Sequence, residues 1–491
     1  MYTYIKIYNI NLECNRYRYA KMDLSILDMY FKSHKYPFTN HQLDSYREFI
    51  KSYIPRTIQS YNPITMIKYD DLQNICMKVE IFVGGKDGTK IFVDRPINFE
   101  DGEAILITPN DARLKNLTYE SHLYADVIVE ITDVEGAISK KEFNKVAIGS
   151  IPIMLHSDIC VLHNQGSKVL RRLGECVYDT GGYFIINGKE KVIVAQERKT
   201  TNRLFVTKLK DDTKYDYKGS IRCTGESGET MLSPRTVEFY LVKYRENDFD
   251  NLFKTTDSDD ETDKPAEQTS RQPMTIVVRL PSVTGVIPLF TFFRALGIES
   301  DKDIYEAIFG TNFSAVEKSF FDDFIRPSIC DNKYNIYTQN DAIKYLQSLV
   351  KYKTIQHVKY VLTTDVFPNI PIYKNKGRYL GHLIKEFFNV IKMVSPETDK
   401  DGYVYKRVDI SGYLLAELFQ TSYSRLRKHI RDNMDRMYHF GAWSQKKDYE
   451  NFITKDNIYK LIDNMIVTDT FTKSLKGAWG LSTDKDTDKE Q

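Results

Sequence analysis

The residues best equipped for chemistry lie together between Gly174 and Arg203, in the stretch GECVYDTGGYFIINGKEKVIVAQERKTTNR. Within it, Asn187-Gly188 separates two β-rich runs, YFII and KEKVIVA. A two-residue turn of this type needs positive φ at both positions, so the pair predicts a hairpin and is read as a structural turn. Lys189, Lys191, Gln196, Arg198, Lys199, Asn202 and Arg203 follow along or just beyond the second strand. Cations and amides strung along a strand exit suit a groove that follows a phosphate backbone. They also suit an ordinary solvated strand edge, where lysines discourage aggregation. A phosphate-cradling glycine loop is excluded. Five residues, not four, separate Gly182 from Gly188, they read as a strand, and Glu190 follows Lys189 where a magnesium-binding Ser or Thr is required.

No other group of residues forms an active site or a metal centre in the sequence. The acidic pairs Asp70-Asp71, Glu100-Asp101, Asp211-Asp212 and Asp322-Asp323 lack the glycine-spaced clustering of a magnesium or calcium loop. The nine histidines show none of the HExxH, HxH or HxxxH spacings of a metallohydrolase. Cys14, Cys76, Cys160, Cys176, Cys223 and Cys330 are too scattered for a zinc knuckle and are expected as reduced thiols packed like small hydrophobes. There is no GxSxG nucleophile elbow. The residues alone give a basic hairpin, with no catalytic group and no metal ligand set.

The elements that must position this hairpin belong to a chain of 491 residues, enough for about three units at roughly 150 residues each. With 42% hydrophobic and 28% charged residues, the composition is that of a folded chain rather than a disordered one. No apolar run approaches the roughly 18 residues of a membrane span, and the charged opening MYTYIKIYNINLEC lacks a signal-peptide core. An intracellular, unsecreted protein is expected. The formal charge of +2 does not disfavour nucleic acid, because a local basic face is what matters there.

Residues 24–54 carry a helical pattern, and residues 75–155 read as strands through runs such as ICMKVEIFVG and LYADVIVEIT. From Asp301 helices dominate. The clearest is Ser411 to Phe440, where Leu415, Phe419, Tyr423, Leu426, Ile430, Met434 and Met437 recur at spacings of three and four, with Arg425, Lys428, Arg431 and Arg436 on the other face. Residues 246–273 are acidic and polar and read as a solvated loop, and the run from Ser482 reads as a frayed tail. These patterns give an α+β chain of two or three lobes.

The Gly174–Arg203 stretch closely resembles the N-terminal signature of the second-largest, β-type subunit of multisubunit DNA-directed RNA polymerases. Further similar segments follow the family's order. Thr108 to Val127 is similar to its strand-turn segment, and Ile148 to Cys160 to its next motif, with His156 where the family usually has arginine. Ile287 to Ile304 resembles the lobe signature, YLGHLIKEFFNVI and KRVDISGYLLAELF the return into the first module, and Leu475 to Gly480 the motif before the fork. The resemblance covers about residues 22–480, with Met22 as a candidate start and residues 1–21 unmatched. The fork loop, hybrid-binding region, clamp and zinc site of the family lie beyond what this chain resembles. It thus looks like the N-terminal portion of such a subunit, as a split gene product or a truncated reading. Its Lys-, Tyr-, Ile- and Asn-rich vocabulary is similar to that of large nucleocytoplasmic DNA viruses.

The resemblance implies a multi-domain fold in which a discontinuous protrusion module, residues 22–207 and 379–470, receives an inserted lobe, residues 208–378. Residues 471–491 would begin the fork. It further implies that this chain forms one wall of the DNA cleft. The largest subunit would hold the main magnesium of the two-metal reaction and this chain would bind none. The implied partners are that largest subunit, the rest of the β-type subunit, the DNA template and RNA. The implied location is the host cytoplasm for a viral source and otherwise the nucleus. Lys191, Arg198 and Arg203, with Lys189 and Gln196, become the candidate nucleic-acid contacts. A standalone binding module derived from the same subunit is the alternative.

Overall fold

The computed structural model describes residues 24–69, 75–100, 103–133, 136–209, 214–225, 234–243, 274–310, 325–330, 335–351, 353–441, 449–477 and 479. The segment 1–21, Met22, the acidic stretch 246–273, the tail from Ser482, Cys14 and Asp70-Asp71, Asp101, Asp211-Asp212 and Asp322-Asp323 lie outside the described residues. The side chains of Glu100 and Cys330 also lie outside them. Helix and sheet are mixed throughout, and no helix among the described residues is long and apolar enough to cross a membrane.

The chain divides into two compact units. The first comprises residues 1–196 and 408–491, and the second residues 197–407. The outgoing strand Gln196–Lys199 and the returning strand Lys406–Asp409 pair as a two-stranded ladder.

The first unit is built on an antiparallel sheet whose spine is the strand Glu120–Thr132. One edge of the spine takes Ile75–Val83 and Ile91–Val93, and the other takes Ile138–Pro152. Along the spine, burial alternates from Ser121 to Val127, the period-two pattern of a half-covered strand. A helical run covers the core: Asn40–Glu48, a π turn over Phe49–Tyr53, then Ile54–Tyr61. The sequence pattern over residues 24–54 thus resolves into a separate helix at 24–33 and this second run, which continues to Tyr61.

The long helix Ser411–Phe440 closes the same core from the far end of the chain. Leu415, Phe419, Tyr423, Leu426, Ile430 and Met434 are buried, and Arg425, Lys428, Arg431 and Arg436 are exposed. The Phe49 ring lies 6.4 Å from Phe419 and 6.3 Å from Phe471, so residues from both stretches of the unit share one apolar centre. Gly412 is what lets the helix approach so closely. A Cβ there would overlap the Ser45 carbonyl, and the Gly412 N–H donates to Ser45 Oγ at 3.0 Å.

The second unit is a five-stranded antiparallel meander. Leu204–Lys208, Tyr215–Cys223, Arg235–Lys243, Met274–Arg279 and Ile287–Pro288 pair in sequence order. The helix Tyr373–Ile391 packs on it through Phe387, whose ring lies 6.4 Å from Phe239. Further helices, Leu289–Ala295, Asp301–Phe309 and Gln339–Leu349, complete a core rich in phenylalanine. The helix Tyr373–Ile391 runs through the junction at 378/379 that the resemblance implied, and its buried hydrophobic side chains all join this second core. Cys160 and Cys223 are buried as expected, whereas Cys176 is exposed, which corrects the expectation of a packed thiol there. Its neighbours Tyr178 and Asp179 belong to a loop before the hairpin that leaves it in solvent.

Candidate nucleic-acid interface

The hairpin forms where the turn chemistry places it. Phe184–Ile186 pairs antiparallel with Lys189–Lys191, and Asn187 and Gly188 have φ of 49° and 73°. The turn is seated as well as tight. A Cβ on Gly188 would stand 2.7 Å from Asn116 Oδ1 and 3.0 Å from the Arg113 carbonyl, so both backbone conformation and space demand glycine. Gly188 N–H donates to Leu117 O at 2.9 Å, and Asn187 N–H donates to Thr118 Oγ1 at 3.2 Å.

Beneath the hairpin lies a network that the sequence did not reveal. Arg113, on the helix Pro109–Leu114, donates from Nε to Glu190 at 2.8 Å and from Nη1 to both oxygens of buried Glu175 at 2.9 and 3.0 Å. Its Nη2 donates to the Tyr183 hydroxyl at 2.8 Å, and Tyr183 in turn donates to Asp179 at 2.7 Å. Burial alone would lower the Arg113 pKa, but the bonds to Glu175 and Glu190 raise it, so the guanidinium is a fixed charge. The segment expected as strand and turn at Thr108–Val127 in fact opens with this helix, because Thr108 and Asp111 form a reciprocal capping box.

The five candidate contacts divide between the two units. Lys189 and Lys191 stand two residues apart on one strand of the first unit, so they share a face. Lys189 is exposed and Lys191 half-buried, and among the described residues neither has an ion-pair partner. Gln196 is exposed, and its side-chain amide turns back to donate to the Val194 carbonyl at 3.1 Å. In the second unit, half-buried Arg198 donates to the Lys199 carbonyl at 3.3 Å.

Arg203 is exposed and lies 4.2 Å from the centre of the Tyr405 ring, with Nη2 donating to the Tyr405 hydroxyl at 3.3 Å. A planar guanidinium over an aromatic face is attracted by the ring's negative quadrupole and loses side-chain freedom. Asn202, at φ 59°, sets the turn before it by bonding both backbone groups of Thr224. Arg203 borders a cleft of about 580 Å³ that Tyr379, His382, Glu386 and Tyr405 also line. Nearby, Thr200 N–H donates to Tyr405 O at 2.8 Å and Lys406 pairs with Glu197 at 2.8 Å, which fixes Tyr405 under Arg203. Lys406 opens the segment KRVDISGYLLAELF singled out in the sequence, but Tyr405 just precedes it and no spacing rule links either to Arg203.

His156, where an arginine was expected, is buried at φ 64°. Its Nδ1 lies 3.4 Å from the Tyr36 hydroxyl, and its Nε2 has no partner among the described residues. Burial pushes its pKa down, so the ring is held neutral.

The family model described as RNA polymerase beta subunit matches residues 37–457, which include the hairpin and both crossings between the units. The chain belongs to the RNA polymerase beta-subunit family.

Within this family, the chain is 32% identical over 397 residues to the DNA-directed RNA polymerase II subunit RPB2 of Encephalitozoon cuniculi, covering 78% of this chain and 31% of that protein. It is 32% identical over 357 residues to the DNA-directed RNA polymerase II subunit 2 of Arabidopsis thaliana, covering 70% of this chain and 28% of that protein. It is 29% identical over 422 residues to the DNA-directed RNA polymerase subunit Rpo2N of Methanocaldococcus jannaschii, covering 84% of this chain and 74% of that protein. The chain thus spans about a third of the length of its eukaryotic relatives and about three quarters of the archaeal one.

Proposed function

We propose that the chain is the N-terminal part of the β-type subunit of a DNA-directed RNA polymerase, forming one wall of the DNA cleft and positioning nucleic acid during template-directed RNA synthesis. The observation that carries this reading is the family match over residues 37–457. In this reading residues 22–207 and 379–470 make the protrusion, residues 208–378 the lobe, and residues 471–491 the start of the fork. The discontinuous first unit and the single inserted unit support that order of modules, with the crossings between units at 196/197 and 407/408 rather than at 207/208 and 378/379.

The chemistry is nucleotidyl transfer by the assembly. Two magnesium ions, held mainly by the largest subunit, would stabilise the attacking and leaving oxygens. This chain would contribute neither metal ligands nor catalytic groups. Its partners are the largest subunit, the rest of the β-type subunit, template DNA and RNA, and it works inside the cell with them.

Lys191, Arg198 and Arg203 are the proposed phosphate contacts, with Lys189 and Gln196 beside them. Lys189 and Lys191, without an ion-pair partner among the described residues on an anchored strand, and Arg203 held over Tyr405 support this assignment. The test is a Lys191→Ala, Arg198→Ala, Arg203→Ala variant in reconstituted polymerase, titrated with nucleic acid across a range of salt. Each lost contact should reduce the slope of log affinity against log salt by about one, and equally on all template sequences. An unaltered slope in a correctly assembled enzyme removes these residues from the interface.

A further inference from the structure

The helix over residues 24–33 is exposed along its whole length. Leu24, Ile26, Leu27, Met29, Tyr30 and Phe31 are 64, 56, 54, 66, 38 and 47% exposed. Phe38, 72% exposed, extends the same surface, with its ring 5.5 Å from Phe31. The polar side chains Ser25, Asp28, Lys32 and Ser33 fall within one arc roughly 140° wide at 100° per residue, which Met29 interrupts. The rest of the circumference is almost wholly apolar. A stable helix of a soluble protein normally shows the reverse balance, a limited apolar face and a broad polar one.

Two physical arguments require an occupant. Isolated helices shorter than about 12–15 residues are marginal in water, so a lone helix of this length needs tertiary packing to persist. A contiguous apolar surface of this kind is also unusual on a monomer and marks an interaction site. The base of the helix is fixed to the first unit, since Thr39 Oγ1 donates to Thr180 O at 2.8 Å and the Tyr36 ring lies 4.9 Å from His156. The helix is therefore presented from an anchored stem.

We infer that this helix docks into an apolar groove on the part of the β-type subunit that its relatives carry beyond the aligned residues. The inference rests on the function proposed above. Its eukaryotic relatives contain about twice as much further polypeptide as this chain matches, a body large enough to supply such a groove. The charge pattern disfavours nucleic acid. The only cation on the helix, Lys32, pairs with Asp28 at 3.2 Å.

The chain is to be expressed with the remaining β-type and largest-subunit polypeptides of its source. A photo-crosslinking phenylalanine analogue replaces Phe31, and a Leu27→Glu, Phe31→Glu variant is compared with the unmodified chain. The crosslink should map to β-type sequence outside the matched region. The double variant should keep its melting temperature in isolation and co-purify with that polypeptide about ten-fold less or worse. Amide exchange over residues 24–33 should be fast in the isolated chain and slow in the assembly. Equal assembly of the double variant, unprotected amides in the assembly, or a crosslink to the largest subunit, to a second copy or to this chain itself overturns the inference while the proposed function stands. Failure of the unmodified chain to assemble overturns both.

Discussion

Arg113 and Glu190 meet at 2.8 Å although 77 positions separate them, and this bond ties the second strand of the hairpin to the helix Pro109–Leu114. The same guanidinium neutralises Glu175, whose side chain is only 5% exposed. The hairpin is thus held by one arginine that is itself oriented from three sides.

Removing that arginine should be far more harmful than removing its exposed partner. Arg113→Met leaves the Glu175 carboxylate buried and unpaired, and should cost about 3–5 kcal/mol. Glu190→Gln breaks a contact whose acidic side chain is 55% exposed, and should cost less than about 1 kcal/mol. Denaturant unfolding of the two variants side by side measures the difference. Equal losses would show that Glu175 is satisfied by other means.

Gly188→Val should destabilise the hairpin without touching any functional group. The left-handed backbone alone costs a branched residue about 1–2 kcal/mol, and the contacts with Asn116 and the Arg113 carbonyl add to that. The expected readout is a lower melting temperature. A variant that keeps its melting temperature but loses nucleic-acid affinity would contradict the structural role of the turn.

Glu120 should make stability fall as pH rises from about 4.5 to about 7. Burial raises its pKa from 4.5 to about 7, against the opposing hydrogen bond with Ser150. A carboxyl whose folded pKa is raised contributes stability that is complete below its ordinary pKa and lost as pH rises through about 7. Glu120→Gln should remove this dependence and gain up to about 3 kcal/mol over the parent at pH 8. Buried His156 acts in the opposite sense. Its lowered pKa withdraws stability as pH falls below its ordinary value of 6.5. Urea midpoints from pH 5 to 9 should therefore lose less between pH 5 and about 7 in Glu120→Gln than in the parent, with both curves level above that range.

Lys376 should prove structural. It is 1% exposed, and its Nζ donates to the carbonyls of Leu362 at 3.1 Å, Thr363 at 2.6 Å and Val366 at 2.6 Å. These carbonyls lie in and just after the π turn Val361–Asp365, so the lysine serves as a cap supplied from the neighbouring helix. Lys376→Met keeps the volume but strands three acceptors, and should cost at least about 2 kcal/mol. A melting temperature within a degree of the parent would mean that water replaces the ammonium.

What the sequence revealed and what it concealed follow the range of the forces involved. Asn187-Gly188 was legible because positive φ is a property of the two residues themselves. The helix Ser411–Phe440 was legible because its apolar side chains repeat every three or four positions, and its bounds agree with the pattern. Arg113 was not, because its worth comes from Glu175, Tyr183 and Glu190, which only folding brings to it. Arg203 was identified as a cation near a strand end, but its platform Tyr405 lies 202 positions away. The gap between the runs Leu24–Tyr30 and His41–Ile54 was legible as a break in the apolar pattern, and residues 34–39, with Pro37, fill it outside either helix.

The first unit cannot be completed when its first stretch is made. Phe49 must wait for Phe419 and Phe471, and Ser45 for Gly412, until residues 197–407 have been translated. At roughly 5–20 residues per second, that interval lasts about 10 to 40 s. Half of an apolar centre therefore leaves the ribosome with nothing to close it, while the inserted unit, continuous in sequence, is free to fold at once. Newly made chains should for that period be clients of holding chaperones, and a stall within the insert should expose the amino-terminal half to aggregation and proteolysis.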